Sequence, residues 1–234
     1  MIDNTNKYTV MQKSQYDDDA SKWTIEERDH VVGNFDNHNN WKDYEYLFKK
    51  LKTEGKIALD FGCGPGRNIV KYWDQFKRID GVDISEKNLE NVKLWVNYNN
   101  LDSSKINLIH CNGVDLSHIN ESTYDFVFST ICLQHICVHE IRLNYFKEFH
   151  RILNKKGWFT AQMGFGLGHP RSVAYHDNNY EAMGTNSLCD TRIENPDDLQ
   201  NDLESVGFKN FEYYVRPVGP GDGHGYWIFF RAQK

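Results

Sequence analysis

Apolar and polar positions follow two rhythms along this chain, and from residue 56 onward the two take turns. Short apolar runs at 56–62, 78–84, 106–111, 124–131 and 157–164 read as buried strands. Between them the period lengthens to that of a helix. The stretch 66–76 starts a helix at a glycine turn. In 86–100, Leu89, Val92 and Val96 share one face behind Ser85 as cap. In 139–153, Ile141, Tyr145, Phe149 and Ile152 share another. The helix expected at 196–206 is fully punctuated: Asn195 as cap, Pro196 at its first position, Asp197 and Asp198 in the first turn, and Gly207 just beyond. Its inner face is Leu199, Leu203 and Val206. Two last strands follow at 208–218 and 226–233.

Three regions read differently. Residues 1–22 are polar with no clear period, which predicts a mobile or loosely docked arm. Trp41, Tyr44, Phe48 and Leu51 recur at helical spacing, which predicts an amphipathic helix over about 40–52. Residues 165–194 carry no period at all, and a stretch that long predicts a functional lid or insertion.

Strands alternating with helices imply an α/β fold, a doubly wound and mostly parallel sheet with helices on both faces. A last strand that returns without a helix must run antiparallel. Seven strands are expected in all. A chain of 234 residues suits one sizeable core. The net charge of -6 disfavours nucleic acid as a partner, because a phosphate backbone selects basic surfaces. No apolar run approaches a membrane span, and the polar, acidic start is unlike a signal peptide. Cys63, Cys111, Cys132, Cys137 and Cys189 form no CxxC pair, which points to reduced thiols and a cytoplasmic setting.

The candidate chemistry begins at Leu59-Asp60-Phe61-Gly62-Cys63-Gly64-Pro65-Gly66-Arg67-Asn68. A dinucleotide loop would need a third glycine at position 67, where Arg67 stands, and a phosphate loop would need Gly-Lys-Ser/Thr. Glycines opening a helix still mean close approach of backbone to ligand. Asp83 follows Gly62 by 21 positions, at the end of the second strand. A carboxylate there can accept from both hydroxyls of a ribose. Loop and acid together point to a ribose-bearing cofactor.

These residues resemble the cofactor loop of class I S-adenosylmethionine-dependent methyltransferases of the small-molecule type. Gly81-Val82-Asp83-Ile84-Ser85 resembles their second motif. Cys111 to Leu116 resembles the segment that contacts adenine. Tyr124 to Ile136 resembles their fourth-strand motif, and Leu153 to Phe159 their turn into the fifth strand. The resemblance spans about residue 55 to the end and implies a Rossmann-like fold with S-adenosyl-L-methionine as cofactor. It implies that Asp60, Gly62, Cys63, Gly64 and Gly66 hold the methionine end and that Asp83 binds the ribose. Ile84 would pack on adenine, with Asn112 and Gly113 flanking it. Asn112 replaces the usual acid of that segment, so an amide oxygen would meet the adenine amino group. Thr130 and Ile131 would line the floor. Residues 1–54 would form an N-terminal arm with lid helices, and 55–234 the catalytic domain, with 165–194 inserted over the active site.

In an open parallel sheet, ligands sit at the carboxyl ends of the strands. That rule brings His135, His169 and His224 toward one rim from three separate loops. Methyl transfer to an alcohol or ammonium acceptor must also remove a proton, for which histidine is suited. His135 is the first candidate base, followed by His169 and His224, the last expected to be exposed between its glycines. Without a close pair such as HxxxH, no metal is expected. His30, His38, His110, His118, His139 and His150 are expected to serve surface or local structure. The acidic run Asp17-Asp18-Asp19 is expected to be solvated. Tyr16, Trp23, Tyr175, His176, Asn178 and Tyr180 are candidate lid residues.

The expected function is methylation of oxygen or nitrogen on a small polar molecule. The segment 129–134 lacks the Asn/Asp-Pro-Pro-Tyr pattern of nucleobase amino methylation. Two alternatives remain open: a cofactor-binding enzyme of non-transfer chemistry, and a non-catalytic partner subunit.

Overall fold

The computed structural model describes residues 4–26, 45–166, 172–182, 190–218 and 224–234. Its elements are α1 (Asn4–Asp19), β1 (Ile57–Phe61), α2 (Arg67–Tyr72), β2 (Arg78–Asp83), α3 (Glu86–Tyr98), β3 (Leu108–His110), β4 (Tyr124–Thr130), α4 (His139–Ile152), β5 (Leu153–Phe165), α5 (Pro196–Ser205), β6 (Lys209–Pro217) and β7 (Tyr226–Gln233). Each strand expected from the apolar runs is present, and the four helices expected after residue 65 are present with shifted ends.

The seven strands form one sheet in the order β3-β2-β1-β4-β5-β7-β6. Strands β1 to β5 pair in parallel, and β7 is antiparallel to both β5 and β6. The strand that returns without a helix therefore slots between β5 and β6. The order reverses at β1, whose neighbours are β2 and β4. That places a crevice at the carboxyl ends of these three strands.

Two apolar layers cover the sheet. One joins α4 and α5 to the sheet through Phe146, Phe149, Leu199 and Leu203 against Phe159 and Phe230. The other packs α2 and α3 through Ile69, Val92 and Val96. Phe48 belongs to this second layer, edge-on to Tyr72, Phe76, Phe126 and Phe128. The helix expected over 40–52 does not run through it. Residues 45–47 make one tight 3-10 turn, 48–50 a turn ending at Lys50 with φ +64°, and 40–44 lie outside the described residues. Of the spaced apolar residues, Phe48 and Leu51 reach the core without a helix to carry them.

The first residues also depart from expectation. They form α1, sixteen residues long, although the helix has no apolar stripe. Its docking is polar. The Tyr8 hydroxyl accepts from the Cys137 backbone N–H (2.9 Å) and from Gln12 Nε2 (3.0 Å). The Ser85 hydroxyl donates to Asp17 Oδ1 at 2.6 Å, at the capped start of α3. Of the acidic run, only Asp18 is exposed, and Asp19 is buried.

Arg142 on α4 is fully buried and works as an internal brace. Its guanidinium donates to the carbonyls of Ile136 and Tyr175 and to Thr191 Oγ1. It ties the segment around 172–191 to α4.

Replacing Tyr8 by Phe should leave the buried Cys137 N–H without its acceptor. The expected loss is about 1–3 kcal/mol in denaturant unfolding. Protease cleavage within the first twenty residues should also rise.

Candidate active site

Where the chain leaves β1, Gly62 N and Cys63 N both donate to the Val82 carbonyl, at 2.8 and 3.1 Å. The loop is thereby fixed to the end of β2. Gly64 N then donates to Asp83 Oδ2 at 2.8 Å. Gly62 and Gly64 both hold positive φ, +67° and +52°, which favours glycine. Their surroundings differ. A Cβ on Gly62 would lie 2.0 Å from Cys132 Sγ, while a Cβ on Gly64 would meet nothing within 4 Å. Gly62 is demanded by the protein's own packing. Gly64 leaves open space for something else.

Asp83 is buried at the tip of β2. Besides Gly64, it accepts from Ser85 N at 2.8 Å and from Asn88 Nδ2 at 3.4 Å. Burial pushes its carboxyl above the usual range, against the two backbone N–H groups. A carboxylate offers about four lone-pair positions, so capacity for a ribose hydroxyl remains. Asp60, on β1, is 1% exposed, and neither oxygen has a hydrogen-bond partner among the described residues. Asn68 lies close, but its amide is committed to Thr130 Oγ1 at 2.7 Å. Burial pushes Asp60 up to about 8, opposed by the Arg67 charge and reinforced by that of Asp83.

The crevice holds a cavity of about 390 Å³. Gly62, Cys63, Gly64, Asp83, Ile84, Gly113, Thr130, Ile131 and His135 lie in its wall. Tyr8, Gln12, Tyr16 and Trp23 close it from the N-terminal side, so Tyr16 and Trp23 stand where lid residues are expected. Ile131 has φ +50°, rare for a β-branched residue. Its N–H donates to Gln162 Oε1 at 2.9 Å, which holds the strained floor in place.

Other expected residues fall elsewhere. Asp60 and Gly66 are not wall residues: Asp60 is on β1 next to the wall residues Phe61 and Gly62, and Gly66 packs against Val92. Asn112 is exposed, and the oxygen expected to meet adenine accepts from Val114 N (2.8 Å) and Asp115 N (2.9 Å) instead. It serves the turn that presents Gly113. Tyr175, His176, Asn178 and Tyr180 are not in the wall. The Tyr175 hydroxyl donates to Asp202, and Asn178 Oδ1 accepts from Glu140 N. Tyr180 packs edge-on against Tyr8.

Two of the three rim histidines meet through a residue no motif had marked. Asp190 bonds His135 Nδ1 through Oδ1 at 2.6 Å and His224 Nε2 through Oδ2 at 3.1 Å. His224 is buried, not exposed as its flanking glycines suggested. Its ring fills the space beside Gly164, where a Cβ would lie 2.1 Å from Nδ1, and rests on Trp227. It stands behind His135, outside the cavity wall. His169 lies outside the described residues. Burial would lower the His135 pKa, but the Asp190 carboxylate outweighs it and holds the imidazole above its ordinary value. The reciprocal attraction keeps Asp190 well below the usual carboxylate range, although burial opposes it. With Nδ1 held, Nε2 is the nitrogen left to face a reactant.

Residues 59–161, a little under half of the chain, match the family described as a methyltransferase domain. Solved structures extend the likeness to the whole fold. A chain of the complex between the Haloferax volcanii Trm112 methyltransferase activator and a methyltransferase is 14% identical, with a TM-score of 0.64 over 94% of this chain and 97% of that one. An S-adenosylmethionine-dependent methyltransferase from Mesorhizobium loti is 17% identical, with a TM-score of 0.64 over 86% of this chain and 100% of that one. Haemonchus contortus phosphoethanolamine N-methyltransferase 2, in complex with phosphomonomethylethanolamine and S-adenosylhomocysteine, is 17% identical, with a TM-score of 0.63 over 100% of this chain and 61% of that one. The comparison with curated proteins gave no match. The resemblance read from the motifs agrees with these findings: residues 59–161 match a methyltransferase domain, and the sheet and its strand order give the fold seen in solved S-adenosylmethionine-dependent methyltransferases.

Asp190→Asn should lower the His135 titration markedly, since burial is then opposed only by the weaker attraction of Asp19. Proton NMR of the ring resonances against pH checks this. An unmoved midpoint would show that Asp190 does not govern His135.

Proposed function

We propose that this chain is a methyltransferase that transfers a methyl group from S-adenosylmethionine to oxygen or nitrogen of a small polar molecule. The cofactor is S-adenosyl-L-methionine, and the residues present fit it. The observation that carries the reading is the buried, unpartnered Asp60 beside a glycine loop whose Gly64 opens on a cavity. An ammonium group would satisfy an acid in that position, and loop N–H groups suit a carboxylate. Asp83 has capacity left for a ribose hydroxyl. Ile84 and Gly113 would flank the base, and Thr130 and Ile131 would floor the site near the sulfur.

The bound cofactor supplies a methyl group on a cationic sulfur. The chain's work is to align an acceptor, exclude water and receive a proton. Nε2 of His135 takes that proton. Asp190 fixes the ring through Nδ1 and stabilises the imidazolium that results. His224 holds Asp190 from behind and acts as a positioning residue. The N-terminal arm acts as a lid on the cofactor side through α1 and Trp23, which supply cavity wall. The 165–194 insertion serves the acceptor side, through Asp190. A cavity of about 390 Å³ and a net charge of -6 favour a small acceptor over a nucleic acid. Among the described residues no helix is long and apolar enough to cross a membrane, and Cys63, Cys111, Cys132 and Cys137 form no disulfide. A reducing, cytoplasmic setting fits those thiols.

The test is product analysis with a panel of small alcohols and amines. S-adenosylhomocysteine should accumulate only with an acceptor, in equal amount with methylated product. An acceptor consumed with no S-adenosylhomocysteine formed would instead mean non-transfer chemistry.

Three variant results should accompany it. Asp83→Ala should weaken cofactor binding by roughly 1–3 kcal/mol in a fluorescence titration. His135→Ala should lower turnover roughly 10²–10⁴-fold while cofactor affinity stays near that of the wild type. In the wild type, the rate should still be rising above the ordinary histidine pKa, because His135 must lose its proton to act as base and its pKa is raised. Cofactor affinity should also rise with pH up to about 8, because binding an ammonium ion favours ionised Asp60. Asp60→Asn should flatten that dependence.

A further inference from the structure

Away from the cavity, side chains with metal-ligating chemistry converge at one other place. His139 is the first residue of α4, Asp202 lies in α5, and His176 belongs to the segment 172–182. One candidate donor atom from each lies within 4.8 Å of the other two. His139 Nε2 stands 2.7 Å from Asp202 Oδ2. The two imidazole rings meet edge to face at 4.9 Å. Asp198, one turn before Asp202, stands 3.3 Å from His176 Nε2.

The surroundings hold these groups in place. The His139 backbone N–H donates to the Asp177 carbonyl at 2.9 Å, and Val138 bridges to Asn178. The backbone thus sets the segment carrying His176 against the start of α4. Tyr175 donates its hydroxyl to Asp202 Oδ2 at 2.7 Å, the kind of outer hydrogen bond that orients a ligating carboxylate. A hydrogen bond between His139 and Asp202 accounts for that pair. The contact with Asp198 accounts for one nitrogen of His176, and a metal ion would account for both imidazoles standing within reach of Asp202.

We propose that His139, His176 and Asp202 bind one divalent transition-metal ion of the zinc class, with Asp198 or water as the fourth ligand. Two imidazoles with carboxylate oxygen are the donor set of zinc and its neighbours, whereas magnesium and calcium select oxygen alone. Tetrahedral bonds of the usual length put ligand atoms about 3.3 Å apart. The present spacings span that value, so small side-chain rotations suffice. His176 is the exposed member, with 57% of its side chain accessible, which gives the ion a way in. The site lies outside the cavity wall and stands whether or not the methyltransferase reading does. Its role is structural: it pins the segment 172–182 to α4 and α5.

The experiment uses the full chain without a histidine tag, stripped by chelator and dialysed against zinc chloride, with bound metal quantified. The wild type should bind one equivalent more than His176→Ala, or bind it at least about tenfold more tightly. Zinc should raise the Tm of the wild type and leave that of His176→Ala unmoved. Excess magnesium chloride should not displace it. His176 is exposed, so its alanine variant should fold. His139→Ala is the second arm and should lose the same equivalent. Equal zinc binding by wild type and His176→Ala would overturn the site, and displacement by magnesium would overturn its zinc-class chemistry.

Discussion

One carboxylate organises the rim of the sheet. Asp83 is buried at the carboxyl end of β2, where burial alone would leave an acid destabilised. It is held there by N–H groups from two directions, Gly64 and Ser85. The first bond shapes the glycine loop after β1. The second sets the capped start of α3. Because Ser85 also donates to Asp17, the same corner receives α1. The glycine loop, the helix beside it and the helix that covers the cavity thus share one anchor.

The opposite rim has its own anchor in Asp190. Two histidines from distant parts of the chain, 135 and 224, reach one carboxylate. Neither contact is local. Asp190 comes from an aperiodic segment and is brought in by the bridges of Val173 to Thr191 and Phe165 to Ile193. Arg142 supports that route from beneath, through Tyr175 and Thr191. The two rims frame the strained turn at Ile131, which lies at the crossover where β1 sits between β2 and β4.

Much of the sheet was legible because parallel strands are buried on both faces and read as continuous apolar runs. The strand 226–233 was recognised to the residue, and the cap at Asn195 stands where its sequence placed it. What was not legible depended on partners far along the chain. α1 has no apolar stripe, so periodicity could not reveal a helix held by Tyr8, Gln12 and Asp17. Phe48 and its neighbours showed helical spacing yet pack from a turn, because several backbone paths can deliver the same rings to a core. Asp190 carried no local sign. Asn112 sat at the expected place in its motif, but its side chain turned back to its own backbone. His224 looked exposed between glycines, and only Gly164, distant in sequence, makes room for its ring.

The central claim is that the cavity at the carboxyl ends of β1, β2 and β4 takes S-adenosylmethionine and not a dinucleotide. Isothermal titration of the wild-type chain with S-adenosylmethionine, S-adenosylhomocysteine and NAD tests it most directly. The account predicts one site for each of the first two ligands and no heat of binding from NAD. Saturable binding of NAD with none of S-adenosylmethionine would contradict it.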